Sequence, residues 1–227
     1  MRGHLVGDEV FPPLPGQPRQ ERGLPTGTGA QIQPRPARCL HPGQGQAHQL
    51  RTAAADLLRR RPQAGRVLIV CGKGNNGGDG LVMARILQAH GWRADILFAA
   101  GEKLSELAEL NRGRLQGLDG IGLIAAEDLA DRLKTGYDVI IEGIFGTGFG
   151  GRLPAGIAAI CRLLNQSDGL KVALDIPTGL NCDTGEADAD TFRADLTYTF
   201  AAYKPAHLSA DGKTYCGEIV CLDIGID

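Results

Sequence analysis

Apolar residues fall in short runs along this chain, separated by glycines and polar turns, but only from about residue 51 onward. Residues 51–61 predict a helix, with Ala53, Ala54, Leu57 and Leu58 on one side. Pro62 to Gly65 breaks it. Residues 67–71 form a β-branched run of the kind buried on both faces of a sheet. Residues 79–90 read as a helix, with Leu81, Val82, Ile86 and Leu87 on its apolar side and Gly91 ending it. The same alternation continues. Strands are predicted at 94–98, 121–125, 137–141, 172–174, 196–200 and 218–222, and helices at 103–115, 127–133 and 154–165. Strands alternating with helices predict an α/β fold, a Rossmann-like, doubly wound, mostly parallel sheet between two helical layers. No internal repeat interrupts the pattern.

Residues 1–50 are different. They hold eight of the twelve prolines and eight glycines, with no apolar periodicity. Such a segment buries too little apolar area to offset its ordering entropy, which predicts a disordered tail on a domain spanning 51–227. Over the whole chain, 43% hydrophobic residues suffice for a core. A net charge of −2 and 5% aromatics argue against a nucleic-acid partner or an anionic membrane. An anionic ligand must then be held by local geometry. The six cysteines are scattered, with no CxxC pair, which predicts free thiols in a reducing cytoplasm and no structural zinc. No run approaches the roughly 20 apolar residues of a membrane span, and no signal-peptide pattern opens the chain.

Three loops carry candidate chemistry. Gly72, Gly74 and Gly77 fit a dinucleotide fingerprint between a strand and a helix, where glycines allow close approach to a phosphate and the helix supplies free amides. A tight turn without ligand has the same spacing. Asn75, Asn76 and Asp79 go beyond the generic fingerprint. Asp79 reads equally as a helix cap, whereas two adjacent asparagines exceed what one cap needs. The stretch 142–152 has five glycines and follows a buried strand. It exposes amides either to a ligand or to solvent, and Arg152 suits a phosphate or water. Asp175 ends a third strand before Pro177. It reads as an acid–base group, a ribose ligand or an Asx turn. In a doubly wound sheet all three loops open onto one crevice. Lys204 follows the strand at 196–200 and reads as a surface lysine or an anion contact. His207 has no partner visible in the sequence. Walker A, HExxH and Ser-His-Asp patterns are missing.

Taken in order, GKGNNGGDGLVMARIL, DVIIEGIFGTGF, ALDIPTGLNCDTG, ADLTYTFAAYKPAHL and GEIVCLDIGID resemble the NAD(P)H-hydrate epimerase family, the YjeF N-terminal domain, over about residues 51–227. The resemblance implies a Rossmann-like fold and an isomerase that interconverts the R and S forms of hydrated NADH and NADPH (NADHX and NADPHX). It also implies a bound K+, frequent homodimers, and a companion NAD(P)H-hydrate dehydratase that consumes the S form. Carried over by motif, the substrate is bound by Asn75, Asn76, Gly77, Gly78, Asp79, Gly146, Thr147, Gly148, Phe149, Gly150, Gly151, Arg152 and Asp175. Asp175 is the expected catalytic acid–base group. Asn76, Glu142 and Thr178 are the expected K+ ligands. Glu142 stands where the family usually has Asp, and Thr178 where it usually has Ser. Both keep an oxygen, so K+ binding is expected to survive in weakened form.

Residues 1–50 match nothing in that family, which raises the expectation of a frameshift or misassigned start. The chain ends where the epimerase domain does, as a standalone enzyme or a piece of a longer one. Two other functions compete. A retired domain of the same fold would keep the crevice for protein interaction but need not keep NNGGD and Asp175. An ordinary NAD(P) oxidoreductase needs an acidic residue about 20 positions after the fingerprint. Residues 98–101 offer none, and Glu102 lies just beyond.

Overall fold

The structure, a computed structural model, describes residues 44–222. The expected tail at 1–43, the thiol of Cys39 and the last five residues lie outside the described residues. Helix α1 runs over Gln44–Arg60. Then follow β1 (Arg66–Cys71), α2 (Asn75–Ala89), β2 (Arg93–Phe98), α3 (Glu106–Gly113) and β3 (Ile121–Ile124). A 3-10 turn at Ala126–Asp128 leads into α4 (Leu129–Lys134). The rest is β4 (Val139–Gly143), α5 (Ala155–Gln166), β5 (Leu170–Leu174), β6 (Leu196–Phe200), α6 (Pro205–Leu208), α7 (Ala210–Tyr215) and β7 (Glu218–Leu222).

The seven strands form one sheet in the order β3-β2-β1-β4-β5-β6-β7, and every pair is parallel. Period-two alternation divides β1 between two cores. Val67, Ile69 and Cys71 face α1 and α2, while Leu68 and Val70 face α4 and α5. A strand buried on both sides has no polar face to show, which is why the run at 67–71 lacks alternation. Chain order reverses between β1 and β4. There the helices that follow the two strands leave on opposite faces and open a crevice beyond the strand ends.

Helix α1 begins seven residues before the expected start, so the expected boundary at 50/51 falls inside it. Leu50, Ala53, Ala54 and Leu57 make its buried stripe. Gln49 is buried and donates to the Leu222 carbonyl at 3.0 Å. Arg60 grips both carboxylate oxygens of Glu218 (2.6 and 2.8 Å) and also pairs with Asp56 (2.6 Å). The Tyr198 hydroxyl donates to the same Asp56 at 2.9 Å. These bonds fix α1 over β6 and β7. No described helix is long and apolar enough to cross a membrane.

Candidate active site

The ends of β1, β4, β5 and β6 surround a cavity of about 560 Å3. Its wall is built from Lys73 to Asn76 and Asp79 after β1, Ile144 to Gly148 after β4, Asp175 after β5, and Phe200 with Lys204 after β6. The first loop is shorter than its composition suggests. Helix α2 starts at Asn75, so Asn75 to Asp79 form its first turn and not a loop. The amides of Asn75, Asn76 and Gly77 precede the first helical bond, from Gly78 N–H to the Gly74 carbonyl (3.1 Å). Gly74 adds no side-chain cap. The positive end of α2 therefore faces the cavity, as an anion requires.

The fingerprint glycines mostly serve packing. A Cβ on Gly72 would sit 1.9 Å from the Ile144 carbonyl oxygen, and one on Gly77 2.0 Å from the Gly72 oxygen. A Cβ on Gly143 would lie 2.7 Å from the Asn76 oxygen. None of the three has a positive φ. They are glycine because three backbone segments touch there, holding the start of α2 against the end of β4.

Asn76 ties two strand ends together. Its Nδ2 donates to the carbonyls of Phe145 (3.0 Å) and Leu174 (3.1 Å). Glu142 was expected in a loop, but β4 extends through Gly143 and buries its carboxyl completely. Oε1 accepts from Ile144 N–H (2.6 Å) and the Thr178 hydroxyl (2.5 Å), and Oε2 accepts from Thr178 N–H (3.1 Å). Burial pushes its pKa up to about 7, against the pull of those hydrogen bonds. Among the described residues no cationic side chain pairs with it.

The donors gathered here are the Glu142 carboxyl, the Thr178 hydroxyl, the Asn76 amide and the Phe145 and Leu174 carbonyls. All can present the hard oxygen that an alkali cation takes, so the residues present fit such an ion. No cluster of three or more His, Cys, Asp or Glu suited to a transition metal occurs among the described residues.

Asp175 sits in a strained turn. Its φ is 68°, and Ile176 N–H reaches back to the Leu174 carbonyl at 2.9 Å, closing a γ-turn. Its Oδ1 meets the Lys204 ammonium, and its Oδ2 lies beside Gly146, 3.5 Å from where a Cβ on that glycine would sit.

With that geometry in hand, the family profile described as "YjeF-related protein N-terminus" matches residues 43–206. The chain belongs to this YjeF N-terminal family. It is 38% identical over 175 residues to a protein of Rhodopirellula baltica named NAD(P)H-hydrate epimerase, covering 76% of this chain and 71% of that one. A Pirellula staleyi protein of the same name is 36% identical, covering 78% and 79%. A Pyrobaculum aerophilum protein named bifunctional NAD(P)H-hydrate repair enzyme Nnr is 40% identical, and the match spans 76% of this chain but 35% of that protein. The fold is that of the crystal structure of yeast ynu0, with a TM-score of 0.65, 22% identity and 73% of each chain covered.

Within this YjeF-type domain, the cavity brings together Asn75, Asn76, Asp79, Gly146, Thr147, Gly148 and Asp175. Gly77 and Gly78 lie buried behind it, Gly78 against Ala108 of α3. Phe149 stacks on Phe145 with ring centres 5.6 Å apart. Gly151 and Arg152 border a second hollow, alongside Glu186, Asp188, Asp190 and Asp211. Glu142 and Thr178 meet directly below the Phe145 and Asn76 network.

The sequence reading missed Lys73, Ile144, Phe145 and Phe200 as lining residues, offered Lys204 only as an anion contact or a surface lysine where the structure pairs it with Asp175, and left His207 without a partner. Lys204 was within reach of the rule that located Asp175, since it too follows the carboxyl end of a parallel strand. Glu102, the one acidic candidate for a ribose contact, is ion-paired with Arg112 at 2.9 Å. Glu102 is not among the residues that line the cavity.

Proposed function

We propose that this chain is an NAD(P)H-hydrate epimerase that interconverts the R and S forms of NADHX and NADPHX. The observation that carries the proposal is the cavity itself: a helix start, two glycine-lined strand ends and a carboxylate converge at the reversal point of a domain with curated epimerase relatives. The α2 amides, with Lys73 and Asn75 at the rim, suit the pyrophosphate and ribose. Asp79, Gly146, Thr147 and Gly148 line the path toward Asp175. Phe149 to Arg152 continue the same loop away from the cavity, with Phe149 stacked on Phe145 and Arg152 on the neighbouring hollow.

Epimerisation at the hydrated ring carbon breaks the C–O bond and remakes it on the other face. The departing hydroxyl takes a proton and leaves as water, while the ring nitrogen lone pair holds the resulting cation. Water then adds to the opposite face and surrenders the proton. Asp175 carries that proton, and its charge stabilises the cation between the two steps.

K+, held by Asn76, Glu142 and Thr178, would supply a fixed positive charge that sets the loop after β4. The longer side chain of Glu142 weakens this binding relative to an aspartate. A cytoplasmic setting, a homodimer and supply of S epimer to an NAD(P)H-hydrate dehydratase belong to the same reading. Several relatives are named bifunctional NAD(P)H-hydrate repair enzymes. Free thiols at Cys71, Cys161, Cys182, Cys216 and Cys221 suit a reducing compartment.

The test mixes purified protein with an equilibrated R/S mixture of hydrated NADH and a dehydratase that consumes S alone. Disappearance of R well above its spontaneous rate, abolished by Asp175→Asn, is expected. Persistence of R with folded protein would overturn the proposal.

A further inference from the structure

Asp175 has two carboxylate oxygens, and they are not equivalent. Oδ1 is taken by the Lys204 ammonium, whose other two N–H groups go to Thr199 Oγ1 (2.8 Å) and the Phe200 carbonyl (2.8 Å). An ammonium has three donors and no acceptor, so Lys204 is fully spent on this side of the cavity wall. It therefore has no N–H left to give a departing hydroxyl. Both side chains are largely shielded, at 17% and 14% exposure, so the pair is not a fluctuating surface contact. Oδ2 remains, beside Gly146 on the cavity wall.

The backbone is held as well. His207 is 2% exposed. Its Nδ1 lies 3.0 Å from Lys204 N–H, which donates to it, so that nitrogen carries no proton. Nε2 then bears the proton and donates to the Asp175 carbonyl at 2.9 Å. Burial keeps the imidazole pKa below its usual value, consistent with the neutral form. One ring thus bridges the main chains of Lys204 and Asp175. The turn it braces is strained, with φ 68° at Asp175. Ala201, at the end of β6, has φ 65° and the same i to i+2 closure (Ala202 N–H to the Phe200 carbonyl, 2.8 Å). Such conformations are strained and persist only where the surrounding structure over-determines them. Asp175 N–H is held by the Tyr198 carbonyl (2.7 Å) as part of the sheet; Lys204 and His207 add the restraints on its carboxylate and its carbonyl.

We propose that Lys204 and His207 are the positioning residues of Asp175: Lys204 locks Oδ1 so that substrate meets Oδ2 alone, and His207 fixes the strained turn that aims it. This rests on Asp175 being the acid–base group of an epimerase.

The experiment compares parent protein with Lys204→Ala and His207→Phe, each checked by near-UV circular dichroism for an intact fold. Lys204→Ala is expected to lose about 100-fold in kcat, with KM changed by less than about threefold, the loss that follows a misplacement of about 1 Å. Ethylammonium should restore part of kcat and tetramethylammonium, which has no N–H, should not. His207→Phe keeps ring volume, loses both bonds and is expected to fall about tenfold or more in kcat. A Lys204→Ala protein that keeps kcat within threefold, or whose loss both ammonium salts repair equally, overturns the positioning role. A crystal structure of Lys204→Ala keeps the two readings apart. If the parent shows no epimerase activity, that function fails, yet the positioning role is still judged by whether the Asp175 carboxylate takes more than one orientation. A single parent-like orientation overturns it.

Discussion

Adding one methyl group at Gly72 would put a Cβ 1.9 Å from the Ile144 carbonyl oxygen, 2.8 Å from its carbon and 3.0 Å from its Cα. All three are backbone atoms, so no side chain can swing aside. Real Cβ atoms essentially never come within 3.0 Å of such a neighbour, so the loops after β1 and β4 must separate by more than 1 Å. The bond from Gly72 N–H to the Gly143 carbonyl (3.0 Å) resists that movement, because it is the last rung between the two strands. Forced overpacking of this kind costs typically 1–3 kcal/mol. A shift of about 1 Å in the cavity wall costs about 100-fold in rate. Gly72→Ala is therefore expected to lower both the urea midpoint and kcat. Gly77→Ala should behave alike, its Cβ lying 2.0 Å from the Gly72 oxygen.

Gly74 supplies the contrast. Its Cβ would meet nothing within 4 Å, and its φ of −91° suits any residue. Gly74→Ala should keep its stability within about 0.5 kcal/mol and raise KM, since it narrows the mouth of the cavity. Urea unfolding and the dehydratase-coupled assay measure both quantities. A Gly72→Ala protein as stable as the parent, with raised KM alone, would refute the packing argument and restore the view that all fingerprint glycines exist to admit phosphate.

Two further expectations concern pH and have opposite signs. Glu142 is raised to about 7 in the folded state, so folding holds its proton between about 4.5 and 7. The stability it contributes is present below about 4.5 and lost as pH rises through 7, on the order of 3 kcal/mol in potassium-free buffer. Glu142→Gln should flatten that part of the urea-midpoint profile, and an unchanged slope would show that the charge is not buried as described. His207 is lowered by burial, so its contribution is present above its ordinary value and lost as pH falls below about 6.5. His207→Phe should lose that acid-side decline, whereas a decline equal to the parent's would assign it to another group.

Much of the sheet was legible because its strands are buried on both faces. The apolar run at 67–71 matches β1 (Arg66–Cys71), since nothing but the core dictates it, and the runs at 196–200 and 218–222 coincide with β6 and β7 although the edge strand β7 is only partly buried. Helix starts were less legible wherever tertiary contacts override local propensity. Asn75, Gly77 and Gly78 are poor helix formers and read as turn, yet α2 includes them because Gly78 packs on Ala108 and Gly80 on Ile69 and Cys71. Residues 44–50 read as tail because Pro42, Gly43 and Gly45 surround the start of α1. What orders them is Gln49 reaching Leu222, a partner 173 positions away. Helices α6 and α7, with four and six residues, are too short for a period to declare them.

The site divides along the same line. Strand-end chemistry brought Asn76, Gly146 and Asp175 into view, because the rule that parallel strands end at one crevice needs only the order of elements. It applies equally to Lys204 once β6 is counted as a fourth strand end. His207 lay beyond it. Its partners are a backbone amide and a backbone carbonyl, and sequence names side chains but not the atoms that a fold brings beneath them. The residue that carries a proton is therefore written in the strand pattern. The oxygen that carries it is decided by Lys204 and His207, through contacts that exist only once β5 and β6 lie side by side.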